Sequence, residues 1–327
     1  MQITQTKGLI LLTGAGFTKN FGGFLADEMW SHIFNNPLVQ SSVLLRSELQ
    51  DNFDFELVYS NIIDNPRIKD EEKDKIKKAV FDAYAKLDNA TKGWVFNDSS
   101  PYPVNVYGLG KLLQLFNGTG NDQGFFFTLN QDLFMERKFG YRCPGVSKFP
   151  DEFYRQLKDI SQNDFVSLPS KNVEDLVTRG IKDHAGFAYI KLHGSYGWKS
   201  ADGSNQLVIG KNKIGSIGNE PLLKTYFDIF ESTIKQGGKK ILIIGYGFQD
   251  KHINEALLDG VKNHGLKLFI VGQNPRSVKE RIENGHYYAK DILSGVGGYF
   301  PYLLKEIFPS NQEDTVYFND IKNALQS

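Results

Sequence analysis

Short apolar runs punctuate the chain at wide intervals: Leu9-Ile10-Leu11-Leu12, Phe125-Phe126-Phe127, Phe187 to Leu192, Ile241-Leu242-Ile243-Ile244 and Leu266 to Val271. Each is bounded by glycine or a polar turn, and none alternates apolar with polar. That is the pattern of strands buried on both faces of a parallel sheet. Between them the period changes. Ala15 to Phe34 reads as the helix after the first strand, Val104 to Phe116 as a helix before the second, and Asp250 to Asn263 as a crossover helix. A right-handed βαβ unit follows from the last pair of strands and the helix joining them. From about Asn36 to Tyr102, Phe53 to Tyr59 and then Ile76, Ala79, Val80, Ala83 and Leu87 recur at helical spacing with charges between them. No strand-like run interrupts this stretch, which closes on the turn-rich Asn97 to Pro103.

The expected fold class is therefore α/β, a Rossmann-like doubly wound parallel sheet with a mostly helical inserted subdomain. Residues 1–36 and 104–327 form the sheet domain, discontinuous in sequence, and 37–103 the helical insertion. Two stretches fit less well. Tyr141 to Gly186 is mixed, and Trp198 to Gly218, rich in Gly, Lys, Asn and Ser, reads as a hairpin or mobile loop.

A chain of 327 residues with 40% hydrophobic content can bury a large core without staples. Lys plus Arg equals Asp plus Glu at 38 each, so no overall field recruits nucleic acid or an anionic membrane. The apolar runs fall far short of the roughly 20 residues a membrane helix needs. The N-terminus lacks the pattern of a secretory signal, and a cytoplasmic location is expected. The lone cysteine, Cys143, excludes an internal disulfide and a Cys-x-x-Cys zinc ribbon, and no metal is expected.

Chemistry gathers at the ends of the apolar runs. Gly14-Ala15-Gly16-Phe17-Thr18 follows a strand and opens a helix, where glycine permits close backbone approach and a helix start offers amides to a pyrophosphate. The six-residue dinucleotide fingerprint fails at its last position, Lys19, which argues against ordinary hydride transfer. A tight turn is the plain alternative. Asn130 and Asp132 emerge after Phe125 to Thr128, either to cap the next helix or to position a water, a ribose hydroxyl and the nicotinamide amide. His193-Gly194 projects an imidazole at a strand end beside a flexible backbone, as a general base requires. The histidines at 32, 184, 252, 264 and 286 lack that placement and are read as structural or surface residues. Gly245-Tyr246-Gly247-Phe248-Gln249-Asp250 and Gly272-Gln273-Asn274-Pro275 are further strand ends, turns and caps on one reading, donors to phosphate, ribose and adenine on the other. Ligands bind at the carboxyl ends of strands in open α/β sheets, so these ends converge on one site for a dinucleotide.

In this order the motifs resemble the sirtuin superfamily: Gly14-Ala15-Gly16 with Phe17-Thr18, then Thr128, Asn130 and Asp132, then His193-Gly194, then Gly245 and Gly247, over about residues 8 to 275. Protein-deacetylating sirtuins carry a four-cysteine zinc module and an Ile-Pro-Asp-Phe-Arg segment. This chain has only Cys143 and reads Gly22 to Trp30 after the glycine loop. The spacing of Gly23 to Trp30 and the Gly-Tyr-Gly-Phe-x-Asp turn are similar to the bacterial sirtuin-like NAD-cleaving domains of antiphage systems.

That resemblance implies an NAD glycohydrolase that releases nicotinamide and ADP-ribose and depletes NAD in antiphage defence. It implies His193, Asn130 and Asp132 as catalytic residues. Gly14, Ala15, Gly16, Phe17, Thr18, Gly245, Gly247, Phe248, Gln273 and Asn274 would bind NAD, which is a substrate rather than a resident cofactor. An NAD-dependent protein deacylase and a non-catalytic NAD or ADP-ribose sensor are the alternatives. Unregulated NAD cleavage would kill the cell, so gating is expected from a homo-oligomer, a partner defence protein or a phage-derived activator. The insertion and the apolar segment from Gly295 to Ser327 are the surfaces to consider, unless the latter docks on its own core.

Overall fold

The computed structural model describes residues 5–92, 104–120, 122–149, 159–183, 186–272, 274–285 and 289–327. Nine strands are labelled in chain order: β1 (Thr6–Thr13), β2 (Gln123–Thr128), β3 (Val166–Ser167), β4 (Phe187–Lys191), β5 (Gly194–Lys199), β6 (Asn205–Leu207), β7 (Lys240–Ile244), β8 (Lys267–Val271) and β9 (Val296–Phe300). Six of them form one sheet in the order β4-β2-β1-β7-β8-β9, and every neighbouring pair is parallel. The chain moves outward from β1 through β2 to β4, then crosses back to β7 on the other side. The order reverses between β1 and β7, and that is where such sheets open a crevice.

The apolar runs form strands because both faces are covered. Phe125 and Phe127 stack on one side of β2 at 5.3 Å, and Phe230 of helix Pro221–Lys235 meets Phe127 edge-on at 5.0 Å. Phe126 points the other way, onto Tyr189 of β4 at 5.1 Å. Each buried aromatic side chain contributes roughly 1.5–3 kcal/mol of transfer free energy. Among the described residues no helix is long and apolar enough to cross a membrane.

The continuous helix expected over Ala15 to Phe34 is two helices, Ala15–Lys19 and Ala26–Phe34. Gly22 takes φ +85, and the Gly23 N–H donates to the Thr18 carbonyl at 2.9 Å, so the chain turns here. The stretch from Trp198 to Gly218 takes the hairpin alternative rather than that of a mobile loop. β5 and β6 pair antiparallel, with β3 on the other side of β5, and the helix Lys213–Asn219 follows. The C-terminal apolar segment docks on its own core. β9 adds to the sheet, with Phe300, Leu304, Ile307 and Phe308 buried.

The inserted stretch is helical as expected: Pro37–Gln40, Val43–Asp51, Phe55–Asp64 and Asp70–Lys92. Ser42 and Asp54 cap two of these helices by accepting from first-turn amides. Helix Ala26–Phe34 packs into this layer, with Trp30 stacked on Phe34 and its indole N–H donating to the Leu49 carbonyl at 3.1 Å. The turn expected at Asn97 to Pro103 lies outside the described residues, as does Gln273.

Candidate active site

The β1/β7 switch point is closed by direct backbone contact. The Gly14 N–H donates to the Ile244 carbonyl at 3.0 Å and the Gly16 N–H to the Gly245 carbonyl at 2.9 Å. A Cβ on Gly16 would lie 2.8 Å from the Gly245 Cα, and Gly245 itself holds φ +68. The close approach that these glycines permit is thus between two strand ends. With the Phe17 N–H also donating to the Gly14 carbonyl, three amides of this loop are paired within the chain. Ala15 is exposed, whereas the side chains of Phe17 and Phe248 lie in the core, at 1% and 0% exposure. Phe248 takes φ +54, held by the Asn254 side chain donating to its carbonyl, and Gly247 lies half-buried beside it. Asn274 caps the helix Pro275–Gly285 by accepting from the amides of Arg276 and Ser277.

Beside this turn stand Thr18, Asn130 and Asp132, all buried. The Asn130 amide donates to the Thr18 hydroxyl at 3.4 Å, and the backbone N–H of Asn130 donates to the Thr128 hydroxyl at 3.1 Å. Asp132 accepts from the first-turn amide of Phe134 at 2.9 Å, although Leu133 is the N-cap of that helix, and Thr18 hydrogen-bonds it as well. Beneath lies Lys191, fully buried, donating to the Asp132 carbonyl, to Glu136 at 2.7 Å and to Ser195 at 2.9 Å. Burial pushes the Asp132 and Glu136 carboxyls up, against the pull of that ammonium.

His193 sits at the corner where the chain leaves β4 and enters β5. Its backbone is pinned: its carbonyl accepts from the Gln131 side chain at 2.7 Å and from the Val208 amide at 3.0 Å. The flexible backbone expected next to it is therefore a strand. The imidazole Nε2 lies 2.9 Å from Nε2 of His252, so one ring donates and the other accepts. Burial drives His193 down to about 3 and His252 to about 4, Asp250 opposing and Lys213 reinforcing the shift. Both rings are neutral at pH 7. Burial would raise Asp250, but His193, Lys213 and His252 outweigh it and hold its carboxyl low. Lys213 bridges Asp250 at 2.7 Å and Glu56 of the insertion at 2.8 Å.

His252, read from the sequence as a satisfied or surface residue, is a buried histidine satisfied by His193. It lies in the first turn of helix Lys251–His264, two residues after the N-cap Asp250, and faces His193. A readable signal existed: Asp-x-His at the start of a helix that follows a strand end. Lys213, Glu56, Tyr84 and Gln131 gave no such signal. Their roles come from packing of the insertion on the strand ends, where the Tyr84 hydroxyl donates to the Gln131 side chain.

The ends of β1, β2, β4 and β7 lie side by side in the sheet, where Thr18 joins Asn130 and Asp132, while the His193 imidazole pairs with His252. Asn274 belongs to the end of β8. The assembled residues are nearly closed off, with His193 at 4%, Asp132 at 5% and Asn130 at 9% exposure. An open cleft of about 500 Å³ lies instead within the insertion, lined by Ser42, Leu44, Arg67 and Glu72 among others. A family model described as a SIR2-like domain matches residues 124–291, just over half of the chain and the span from β2 past β8. No curated protein matches the sequence.

Proposed function

From its place in the SIR2-like domain family, to which the chain belongs and whose members are in general NAD-dependent enzymes, we propose that this protein is an NAD⁺ glycohydrolase. The observation that carries this reading is the placement of a buried imidazole just past the end of β4, on the same rim as Asn130 and Asp132 just past the end of the adjoining β2. In the reaction the bond between the ribose anomeric carbon and the pyridinium nitrogen breaks, and its electron pair neutralises the departing nicotinamide. Water attacks the oxocarbenium-like carbon, and the His193 lone pair takes the proton. Asn130 orients the water or a ribose hydroxyl, while Asp132, held by Thr18 and the Phe134 amide, fixes the riboside end. Products are nicotinamide, ADP-ribose and a proton.

The near closure of these residues supports gating. Helices of the insertion hold the site from outside through Tyr84 to Gln131 and through Glu56 to Lys213. Assembly of the chain with copies of itself, or contact with a partner defence protein or phage-derived activator, would shift the insertion and admit NAD. Depletion of NAD in an infected bacterium would be the biological result, and the cytoplasm the place of action.

Product analysis tests the reading. Incubation with NAD should yield nicotinamide and ADP-ribose in equal amounts without any acylated peptide. Turnover that requires an acyl-lysine peptide indicates a deacylase, and tight NAD binding without turnover in every assembly state indicates a sensor.

A further inference from the structure

The side chains of His193, Asp250 and His252 each present one ligand atom, and these atoms all lie within 4.8 Å of one another. This is the one such group of three His, Cys, Asp or Glu residues among the described residues. They arrive from two separate strand ends: the corner after β4 supplies His193, and the first turn of the helix after β7 supplies the other two. Each imidazole has the other ring as its one side-chain hydrogen-bond partner among the described residues. We propose that His193, His252 and Asp250 form a binding site for a divalent transition-metal ion of zinc type.

The donor set selects the ion. Two imidazole nitrogens and one carboxylate oxygen suit zinc, iron(II), cobalt, nickel or copper, whereas magnesium and calcium take oxygen ligands. Three protein ligands leave a coordination position open to water or an incoming group. The two imidazoles need little movement. Two imidazoles bound at about 2.0–2.1 Å with tetrahedral angles stand about 3.3 Å apart, so the 2.9 Å pair opens by about 0.4 Å. Lys213 holds one Asp250 oxygen, Oδ1, at 2.7 Å and so fixes the carboxylate, leaving its other oxygen for the ion. The Glu56 carboxylate on the far side of Lys213 offsets that ammonium's charge. The absence of paired cysteines, which excludes a zinc ribbon, says nothing about such a site.

Resting on the glycohydrolase reading, the ion would be an inhibitor. It would occupy the His193 lone pair that must take the proton from water.

Cobalt(II) titration of the chelator-treated full-length chain tests the proposal, read by the d–d absorption bands and by metal content after dialysis. The expected result is about one ion per chain, with nitrogen-ligand bands. Affinity should fall more than about tenfold in His252→Gln and in Asp250→Asn, while His32→Ala should bind as the wild type does. His252→Gln keeps a polar group against His193, and circular dichroism confirms that it folds. Wild-type protein that takes up no cobalt overturns the proposal, as does binding unchanged in both ligand variants. Metal bound by a chain that never cleaves NAD would keep the site and remove the glycohydrolase reading. NAD cleavage without metal uptake would do the reverse.

Discussion

The hydroxyl of Tyr84, on the longest helix of the insertion, donates to the side chain of Gln131, which in turn donates to the His193 carbonyl at 2.7 Å. Both side chains are buried, so the insertion reaches the proposed base through two hydrogen bonds and no solvent. Tyr84→Phe removes one donor and leaves the Gln131 oxygen buried and unpartnered, at a loss of about 1–3 kcal/mol. Denaturant unfolding should show that loss, and hydrogen exchange should quicken at residues 129–133 and 193–196. Unchanged exchange there would show that the insertion does not brace the site.

Gly16 after β1 and Gly245 after β7 should tolerate no side chain. A Cβ on Gly245 would fall 2.2 Å from the Phe17 nitrogen at φ +68, and one on Gly16 would meet Gly245 at 2.8 Å. Gly16→Ala and Gly245→Ala should each lower stability by about 1–3 kcal/mol through strain and overpacking. Gly8→Ala, in β1 with open space around it, serves as the control and should be close to neutral.

Lys191 is the cation of a buried cluster, with Glu136 at 2.7 Å and neither side chain more than 4% exposed. Lys191→Met should lower stability by about 3–5 kcal/mol, because it strands a buried carboxylate. Adding Glu136→Gln should recover much of that loss, a coupling that a double-mutant cycle measures. The pH dependence has a definite sign. Burial already raises the Glu136 carboxyl, and without the ammonium the main opposing pull is gone, leaving only a backbone hydrogen bond against it. The folded variant then binds a proton that the unfolded chain has released, so its stability falls as pH rises through the carboxylate range. Its deficit relative to the wild type should therefore shrink between pH 7 and pH 5.

Gating predicts that specific activity depends on association. Nicotinamide release per chain should rise with protein concentration or on adding a partner, in step with the mass measured by sedimentation. A monomer that cleaves NAD at full rate at every concentration would remove the need for a switch.

Strand ends were legible in the sequence because buried parallel strands are continuous apolar runs bounded by glycine or a polar turn. β1, β2, β4, β7 and β8 all follow that rule. β9 did not, since Val296-Gly297-Gly298-Tyr299-Phe300 is glycine-rich and gains its strand form from pairing with β8. β5 was obscured in the same way, because its glycines and polar residues pair only once His193 turns the chain out of the main sheet. The break between Ala15 and Phe34 came from Gly22 and Gly23 folding back onto Thr18. Asn130, Asp132 and His193 were visible because a polar residue after an apolar run marks a rim. Lys213 and Glu56 were not, because their meeting depends on how a helical layer lies across a sheet edge, which no local pattern encodes.

The central claim is that His193 takes the proton during NAD cleavage, with Asn130 orienting the reacting groups. Nicotinamide release from NAD by the assembled protein tests it most directly, with wild type, His193→Ala and Asn130→Ala compared at matched association state and confirmed folding. Steady release by the wild type is expected, with a loss of about 10²–10⁴-fold in His193→Ala and a large loss in Asn130→Ala. Release undiminished in His193→Ala, or NAD left intact by the wild type in every association state, would contradict it.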